Sequence, residues 1–120
     1  MSGDYRVKRA YDAPVKADGK RILVDRLWPR GVSKEEAELD GWAKDATPSN
    51  ELRKWFHENR DEYAVFKERY DAELEGDAQK QALAELRALH AKHTVTLITA
   101  AKDVEHSHVP ILLRHLERDA

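Results

Sequence analysis

Cysteine is absent from this chain, which excludes disulfides, thiolate metal ligands and a cysteine nucleophile. No apolar run approaches the roughly 20 residues that span a bilayer, and no signal-peptide core follows Met1. An excess of positive charge is lacking too. The formal net charge is −2, which argues against a protein whose main partner is the nucleic-acid backbone. We therefore expect a cytosolic protein with no membrane partner, and nucleic acid is disfavoured as a partner.

Charged and hydrophobic residues make up most of what is present. Asp, Glu, Lys and Arg account for 37% of the 120 residues and hydrophobic types for 41%, which describes a densely charged surface around a modest core. A chain of this length builds one hydrophobic core but not two. We therefore expect a single domain over residues 1–120.

The most informative stretch is ILVDRLWPRG at positions 22–31. Its three leading apolar residues are typical of a strand buried on both faces, and we expect that strand over 22–27. A constrained polar loop follows, since proline fixes the backbone and glycine permits a tight turn. The loop residues of interest are Asp25, Arg26, Trp28, Pro29, Arg30 and Gly31.

Hydrophobic spacing and capping residues predict the other elements. Two further strands are expected at 5–11 and 94–99, and 12–20 is typical of a loop. Helices are predicted from the caps Ser33, Thr47 and Asn59, the first of them reaching about Asp45. A further helix is predicted over 77–92. Three tyrosines are expected in the core: Tyr11, Tyr63 and Tyr70.

The last helix is positioned by Pro110. A helix that began at Asp103 would hold this proline in its interior, where it breaks the backbone hydrogen bonding. A start at about Ser107 places Pro110 in the first turn, where it is tolerated. Residues 100–106 are then left as a loop after strand 94–99.

The order strand, strand, helices, strand, helix indicates an α/β fold with a small, mostly parallel sheet packed with helices. We expect strands 22–27 and 94–99 to be parallel neighbours, with four buried residues: Leu23, Val24, Leu97 and Ile98. The pairing of the first strand stays open, because a connection of about nine residues is short for a parallel crossover.

Polar loops follow both central strands, and the carboxyl edge of a parallel sheet is the usual ligand position in such folds. The cationic residues and the start of the last helix suit a phosphate or carboxylate. The candidate ligand-binding residues are Arg26, Trp28, Arg30, Lys102, Asp103 and His108. The candidate catalytic residues are Asp25 and Glu105, as general base or nucleophile, and His106, with His108 as a further proton donor or acceptor.

Most of these assignments have a structural alternative. Asp25 is equally suited to fixing its loop through Arg26 or Arg30, and Trp28 is suited to filling the core. We expect one of the two arginines to contact a carboxylate, namely Asp25, Asp103 or Glu105.

Histidine and aspartate near the last helix also form a weak metal-binding pattern, in Asp103, His106 and His108. No metal is predicted from it, and the cofactor stays unassigned. The remaining histidines are expected to be structural or solvated: His57, His90, His93 and His115.

Four blocks of sequence occur in a distinctive order. They are RAYD at 9–12, VDRLWPRG at 24–31, ELRKWF at 51–56, and AAKD with EHSH within 100–108. Together they resemble the DUF488 family, in its short, YeaO-like branch, over nearly the whole chain. In the longer branch a helix occupies the place of 12–20, which implies a parallel crossover that has lost its helix. His57-Glu58-Asn59 stands where the family often has Gly-His-Asp. The family has no assigned reaction.

We expect one anion-accommodating pocket at the joined ends of the two central strands, with a bound sulfate or phosphate near the start of the last helix. The leading hypothesis is a protein that binds a phosphorylated metabolite or nucleotide and hydrolyses or transfers a group on it. One alternative is a non-catalytic ligand-binding or stress-response module that uses the same pocket. Another is a nucleic-acid-associated protein, disfavoured by the acidic balance.

Overall fold

The fold is built on a small sheet in which every pair of neighbouring strands is parallel. The computed structural model describes residues 5–118. Its strands are β1 (Arg6–Arg9), β2 (Lys20–Leu23), β3 (Gly41–Trp42) and β4 (Val95–Thr99). They lie in the order β1-β4-β2-β3, so the last strand along the chain lies between the first two. This central position explains why every residue of β4 is buried.

Helices connect the strands and cover one side of the sheet. The α-helices are α1 (Lys34–Ala37), α2 (Asn50–Glu58), α3 (Tyr63–Glu73), α4 (Asp77–Lys92) and α5 (Val109–Arg118). Single turns of 3-10 helix lie at Lys16–Asp18, Lys44–Ala46 and Val104–His106. In the part of the chain described, no helix combines the length and the apolarity needed to cross a bilayer.

The two faces of the sheet are covered differently, because alternate strand residues point to opposite sides. Ile22 and Leu97 lie on one face, within the main core formed with α2 to α5. On the other face Leu23 and Ile98 pack with Ala10 beneath two partly buried side chains, Trp28 and Leu39. The second face therefore has a thinner cover, made by loops, the single-turn helix α1 and the 3-10 turn Lys16–Asp18.

A buried ionic network completes that second face. The Asp18 carboxylate accepts hydrogen bonds from Arg21 at 2.6 Å and from Lys8 at 3.0 Å, and also one from the Val15 amide. The Thr96 hydroxyl, on β4, donates to the Asp18 carbonyl at 2.7 Å. Asp18 and Arg21 are only 2% and 3% exposed, so this end of the sheet is held by charges in a dry setting.

The predicted α/β class and the predicted parallel pairing of the two central strands are confirmed. Arg21 and Leu23 of β2 align with Thr96 and Ile98 of β4, and the four residues expected to be buried are buried. The first strand pairs with the other edge of β4. A short connection suffices because β1 and β2 are only four residues long, whereas ten extended residues reach about 33 Å.

The predicted helix from Ser33 to Asp45 is wrong beyond its first turn. Ser33 and Glu36 do form the expected reciprocal cap. The helix stops at Ala37 because Glu38 adopts a left-handed conformation, with φ of 45°. Backbone and side-chain bonds between Asp40 and the backbone of Arg21 then draw the chain alongside β2, which creates the two-residue strand β3.

The predicted helix caps Thr47 and Asn59 are also wrong. Thr47 donates to the Lys44 carbonyl, and α2 is capped by Ser49, whose hydroxyl accepts from the Leu52 amide. Asn59 lies at the C-terminal end of α2 and donates to the Trp55 carbonyl. Helix α3 begins after it with no side-chain cap.

The start of the last helix agrees closely with its prediction. Pro110 lies in the first turn of α5, which begins at Val109. The Ser107 hydroxyl accepts a hydrogen bond from the Val109 amide at 3.1 Å. The predicted loop before it is confirmed except that its last residues, Val104–His106, form a 3-10 turn.

Candidate functional site

A cavity of about 430 Å³ lies at the carboxyl end of the sheet, where the sequence predicted a pocket. Loops that follow β1, β2 and β4 meet there, together with α2 and the segment before α5. The polar and charged lining residues are Tyr11, Asp25, Arg26, Arg30, Arg53, His57, Arg60, Lys102, Asp103, His106, Ser107 and His108. Eight of the nine predicted site residues line this cavity, and Glu105 lies outside it. The other charged and polar lining residues were not indicated as site residues by the sequence.

Asp25 is the best-anchored group of the cavity. One carboxylate oxygen accepts from the Thr99 hydroxyl at 2.7 Å, and the other accepts from the Ala100 amide at 2.7 Å. His108 Nε2 lies 3.3 Å from the first oxygen. Burial raises the pKa of Asp25. The hydrogen bond and the charge of His108, together with the hydrogen bonds from Ala100 and Thr99, lower the pKa by more than burial raises it, so the pKa lies below its usual value. Asp25 is therefore held as an anion that joins the ends of β2 and β4.

Replacing Thr99 by valine is expected to raise the pKa of Asp25, because the carboxylate loses one of its donors. A folded-state pKa below the unfolded one contributes stability at pH values above the unfolded pKa, about 3.9. That contribution is lost as the pH falls through the folded pKa. NMR titration of the Asp25 carboxyl carbon measures the effect directly.

Thr96→Val is the matched control for that titration. It also removes a buried hydroxyl from β4, but this hydroxyl lies on the opposite face of the sheet and donates to the Asp18 carbonyl instead of to Asp25. An equal shift of the Asp25 pKa in both variants would contradict a specific role of Thr99.

His108 is fixed by backbone on one side of its ring. Nε2 lies 2.6 Å from the Val24 carbonyl, which only accepts, so Nε2 carries the hydrogen. The ring also makes an edge contact with Tyr70. Asp25 and His108 thus lie together at the sheet edge where the sequence predicted the two strand-end loops to meet. Their contacts hold both side chains in fixed orientations and use their hydrogen-bonding atoms.

The predicted contact between a loop arginine and a carboxylate is wrong. Arg26 donates instead to two backbone carbonyls, those of Pro48 at 3.1 Å and Thr47 at 3.5 Å. No carboxylate of residues 5–118 lies within 4 Å of Arg26 or of Arg30. Neutral carbonyls orient Arg26 without cancelling its charge, so its positive charge remains uncompensated in the cavity.

Arg53, His57 and Arg60 also line the cavity. The sequence indicated neither arginine as a site residue, and His57 was expected to be structural or solvated. Arg53 Nε is fully buried and has no hydrogen-bond partner among the residues described. Arg60 lies over the ring of Phe56, with its guanidinium carbon 5.3 Å from the ring centre. Arg53 and His57 lie four residues apart on α2 and so share one side of that helix, whereas Arg60 lies in the turn that follows it.

The segment before α5 contributes one further charged pair. His106 Nδ1 and an Asp103 carboxylate oxygen are 2.8 Å apart on the surface. Lys102 is exposed at the rim, and Glu105 is exposed away from the cavity. Among residues 5–118, no three His, Asp or Glu side chains gather as a metal site would require. The catalytic roles assigned to Asp25, His106 and Glu105 stay predictions.

The aromatic residues of the cavity differ in how firmly they are held. Trp28 donates to the Val32 carbonyl at 2.7 Å and packs on the second face of the sheet. It therefore fills the core while one side lines the cavity. Tyr11 was expected in the core and this is wrong, since the side chain is 51% exposed at the cavity mouth. Tyr70 is buried as expected, and Tyr63 is partly buried.

Known proteins are similar to this sequence over almost its full length. An uncharacterised protein of Mycobacterium tuberculosis is 42% identical over 111 residues, which cover 92% of each chain. The uncharacterised protein YeaO of Escherichia coli is 46% identical over 105 residues, covering 88% of this chain and 90% of YeaO. No solved structure matches significantly. A family model described as the inactive DUF488-N3 subclade matches residues 4–120, and the chain therefore belongs to the DUF488 family.

Proposed function

We propose that this protein binds a phosphorylated small molecule in the cavity and holds it without catalysing a reaction on it. The observation that carries the proposal is the charge of the lining. Five Arg and Lys side chains face two carboxylates around one space, in a chain whose formal net charge is −2. Both carboxylates already have partners. Asp25 contacts Thr99, Ala100 and His108, and Asp103 contacts His106. Because five cations line the cavity with two carboxylates, the net charge of its Arg, Lys and Asp side chains is positive.

Arginine supplies most of that charge, and this favours an oxyanion such as a phosphate over a simple halide. Four of the five cations are arginines, whose planar forks match the oxygens of a phosphate. Arg53 supports the same conclusion, because a buried N–H without a partner is costly unless a ligand or a change in structure satisfies the group. Like charges gathered in one cavity also repel each other until an anion enters.

Binding without chemistry is favoured over the hydrolase or transferase that led the sequence hypotheses. Both oxygens of Asp25 are engaged by donors from β4 and its loop, which leaves this carboxylate poorly placed to accept a proton from a substrate. The description of the matching subclade as inactive supports the same choice. The cytosolic location expected from the composition is part of the proposal, and fractionation of expressing cells would test it.

Isothermal titration calorimetry with pyrophosphate, followed by phosphorus NMR of the same mixture, tests this function. We expect saturable binding with a Kd of about 1–100 µM, and an unchanged pyrophosphate spectrum after prolonged incubation. Sodium acetate at equal ionic strength is the control for non-specific charge screening. Absence of saturable heat would refute the binding, and the appearance of orthophosphate would refute the non-catalytic assignment.

A further inference from the structure

Tyr11 is an aromatic side chain held in place yet left open at the cavity mouth. The Arg9 guanidinium carbon lies 5.2 Å from the centre of its ring, in a cation–π contact. Arg9 is itself anchored, since it donates to the Ala101 carbonyl at 3.0 Å and the Ala100 carbonyl at 3.4 Å. The loop that helps to line the cavity therefore also fixes the cation that orients Tyr11.

The exposure of Tyr11 is part of a local pattern. The exposed large hydrophobic residues of the described chain are Tyr11, Val15, Leu27 and Trp42, and two of them, Tyr11 and Leu27, line this cavity. Clustered exposed apolar surface marks a binding site more often than single exposed residues do. The cavity thus combines a cationic lining with an open aromatic surface at its mouth.

These two features come from different parts of the sheet edge. Tyr11 follows β1, whereas Arg26 follows β2, and β4 lies between those strands. Two strand spacings amount to about 10 Å. A ligand that meets both ends must carry its anionic group and its apolar ring at some distance from each other.

We infer that the ligand is a nucleotide whose base stacks on Tyr11 while its phosphate binds the arginines. The inference rests on the proposed function, because it names the class of phosphorylated molecule. A nucleotide separates a flat base from its 5′-phosphate by the length of a ribose, which matches an aromatic residue and a cationic lining set apart. Bases of any identity stack on aromatic side chains. A sugar phosphate or pyrophosphate leaves Tyr11 without a role. The cavity volume is within the range of small-molecule sites.

The test compares adenosine monophosphate with ribose 5-phosphate by calorimetry, in the unaltered protein and in Tyr11→Ala. The unaltered protein is expected to bind the nucleotide about 10- to 100-fold more tightly than the sugar phosphate. Tyr11→Ala is expected to remove most of that difference and leave ribose 5-phosphate binding unchanged. Tyr11→Phe keeps the ring and is expected to keep the difference. Val15→Ala, which shortens an exposed apolar residue outside the lining, is the matched control.

The outcomes separate this inference from the proposed function. Equal affinity for the two ligands in the unaltered protein, or equal weakening of both by Tyr11→Ala, would overturn the stacking while the phosphate pocket stands. Binding of neither would overturn both. A 5′-phosphorylated adenosine pentanucleotide forms the last arm. Tighter binding of the pentanucleotide identifies the end of a nucleic-acid strand as the source of the nucleotide, and tighter binding of the monophosphate identifies the free nucleotide.

Discussion

Asp18→Asn is expected to lower the free energy of unfolding by about 3–5 kcal/mol, the usual cost of removing one partner from a buried ion pair. The asparagine keeps the size of the side chain but leaves the buried guanidinium of Arg21 without its counter-charge. Arg21 has little reserve, because its Nη2 already lacks a partner among the residues described. Urea unfolding followed by circular dichroism at pH 7 measures the loss.

Glu75→Gln is the matched control for that variant. It neutralises the acid of an exposed pair with Lys80, at 3.5 Å, and is expected to change stability by less than about 1 kcal/mol. Similar stabilities for the two variants would contradict the view that buried charges hold the second face of the sheet.

The same network predicts acid sensitivity. Burial raises the pKa of Asp18, but hydrogen bonds from Val15, Lys8 and Arg21 outweigh it and lower the pKa overall. Because the folded pKa is the lower one, the stabilisation is complete above the unfolded value of about 3.9 and is lost as the pH falls through the folded pKa. Asp18→Asn should therefore flatten the stability profile below about pH 4, relative to the unaltered protein.

Arg53→Met is expected to weaken pyrophosphate binding about 10- to 100-fold, in line with the loss of charge-assisted hydrogen bonds to a phosphate. The stability of this variant should increase or stay unchanged, even though its binding of pyrophosphate weakens. Methionine removes a buried N–H that has no partner and one of several like charges, so the free energy of unfolding is expected to rise by up to about 1 kcal/mol. Calorimetry and urea unfolding of the same sample measure both effects.

Arg69→Met separates this effect from a general loss of charge. Arg69 stacks on Trp55, with its guanidinium carbon 4.4 Å from the ring, and does not line the cavity. We expect this variant to lose about 0.5–1 kcal/mol of stability and to retain its pyrophosphate affinity. An Arg53→Met protein that is destabilised but binds normally would make Arg53 a structural residue.

The sequence predicted the centre of the fold well because the strongest patterns lie there. The apolar runs at the two central strands and the position of Pro110 leave few alternatives. Both strands exist as parallel neighbours and Pro110 lies in the first turn of the last helix, but β2 spans Lys20–Leu23 and the predicted bounds of 22–27 are wrong. Strand β3 was missed since two residues carry no periodicity. Its existence depends on bonds between Asp40 and the distant backbone of Arg21. Contacts of that kind are decided by tertiary structure rather than by local pattern.

The candidate site was predicted in position but only in part in composition. The two loops after the central strands carry obvious polar residues, and the structure brings Asp25, His108 and Lys102 to one cavity. Arg53 and Arg60 were missed because arginine on a helix surface is common and no local signal tells which side faces a cavity. Asp18 was expected only as part of the loop 12–20, since its pairing with Arg21 follows from the folding of that loop onto the sheet.

The most direct test of an anion-binding cavity is the titration of ¹⁵N-labelled protein with pyrophosphate, followed by amide chemical shifts. We expect the largest saturable shifts in three segments, 25–30, 53–60 and 100–108, which contain most of the lining residues. Amides of α4, which contributes no lining residue, should be unaffected. Shifts that fail to saturate, or that centre on a surface away from these segments, would contradict the account.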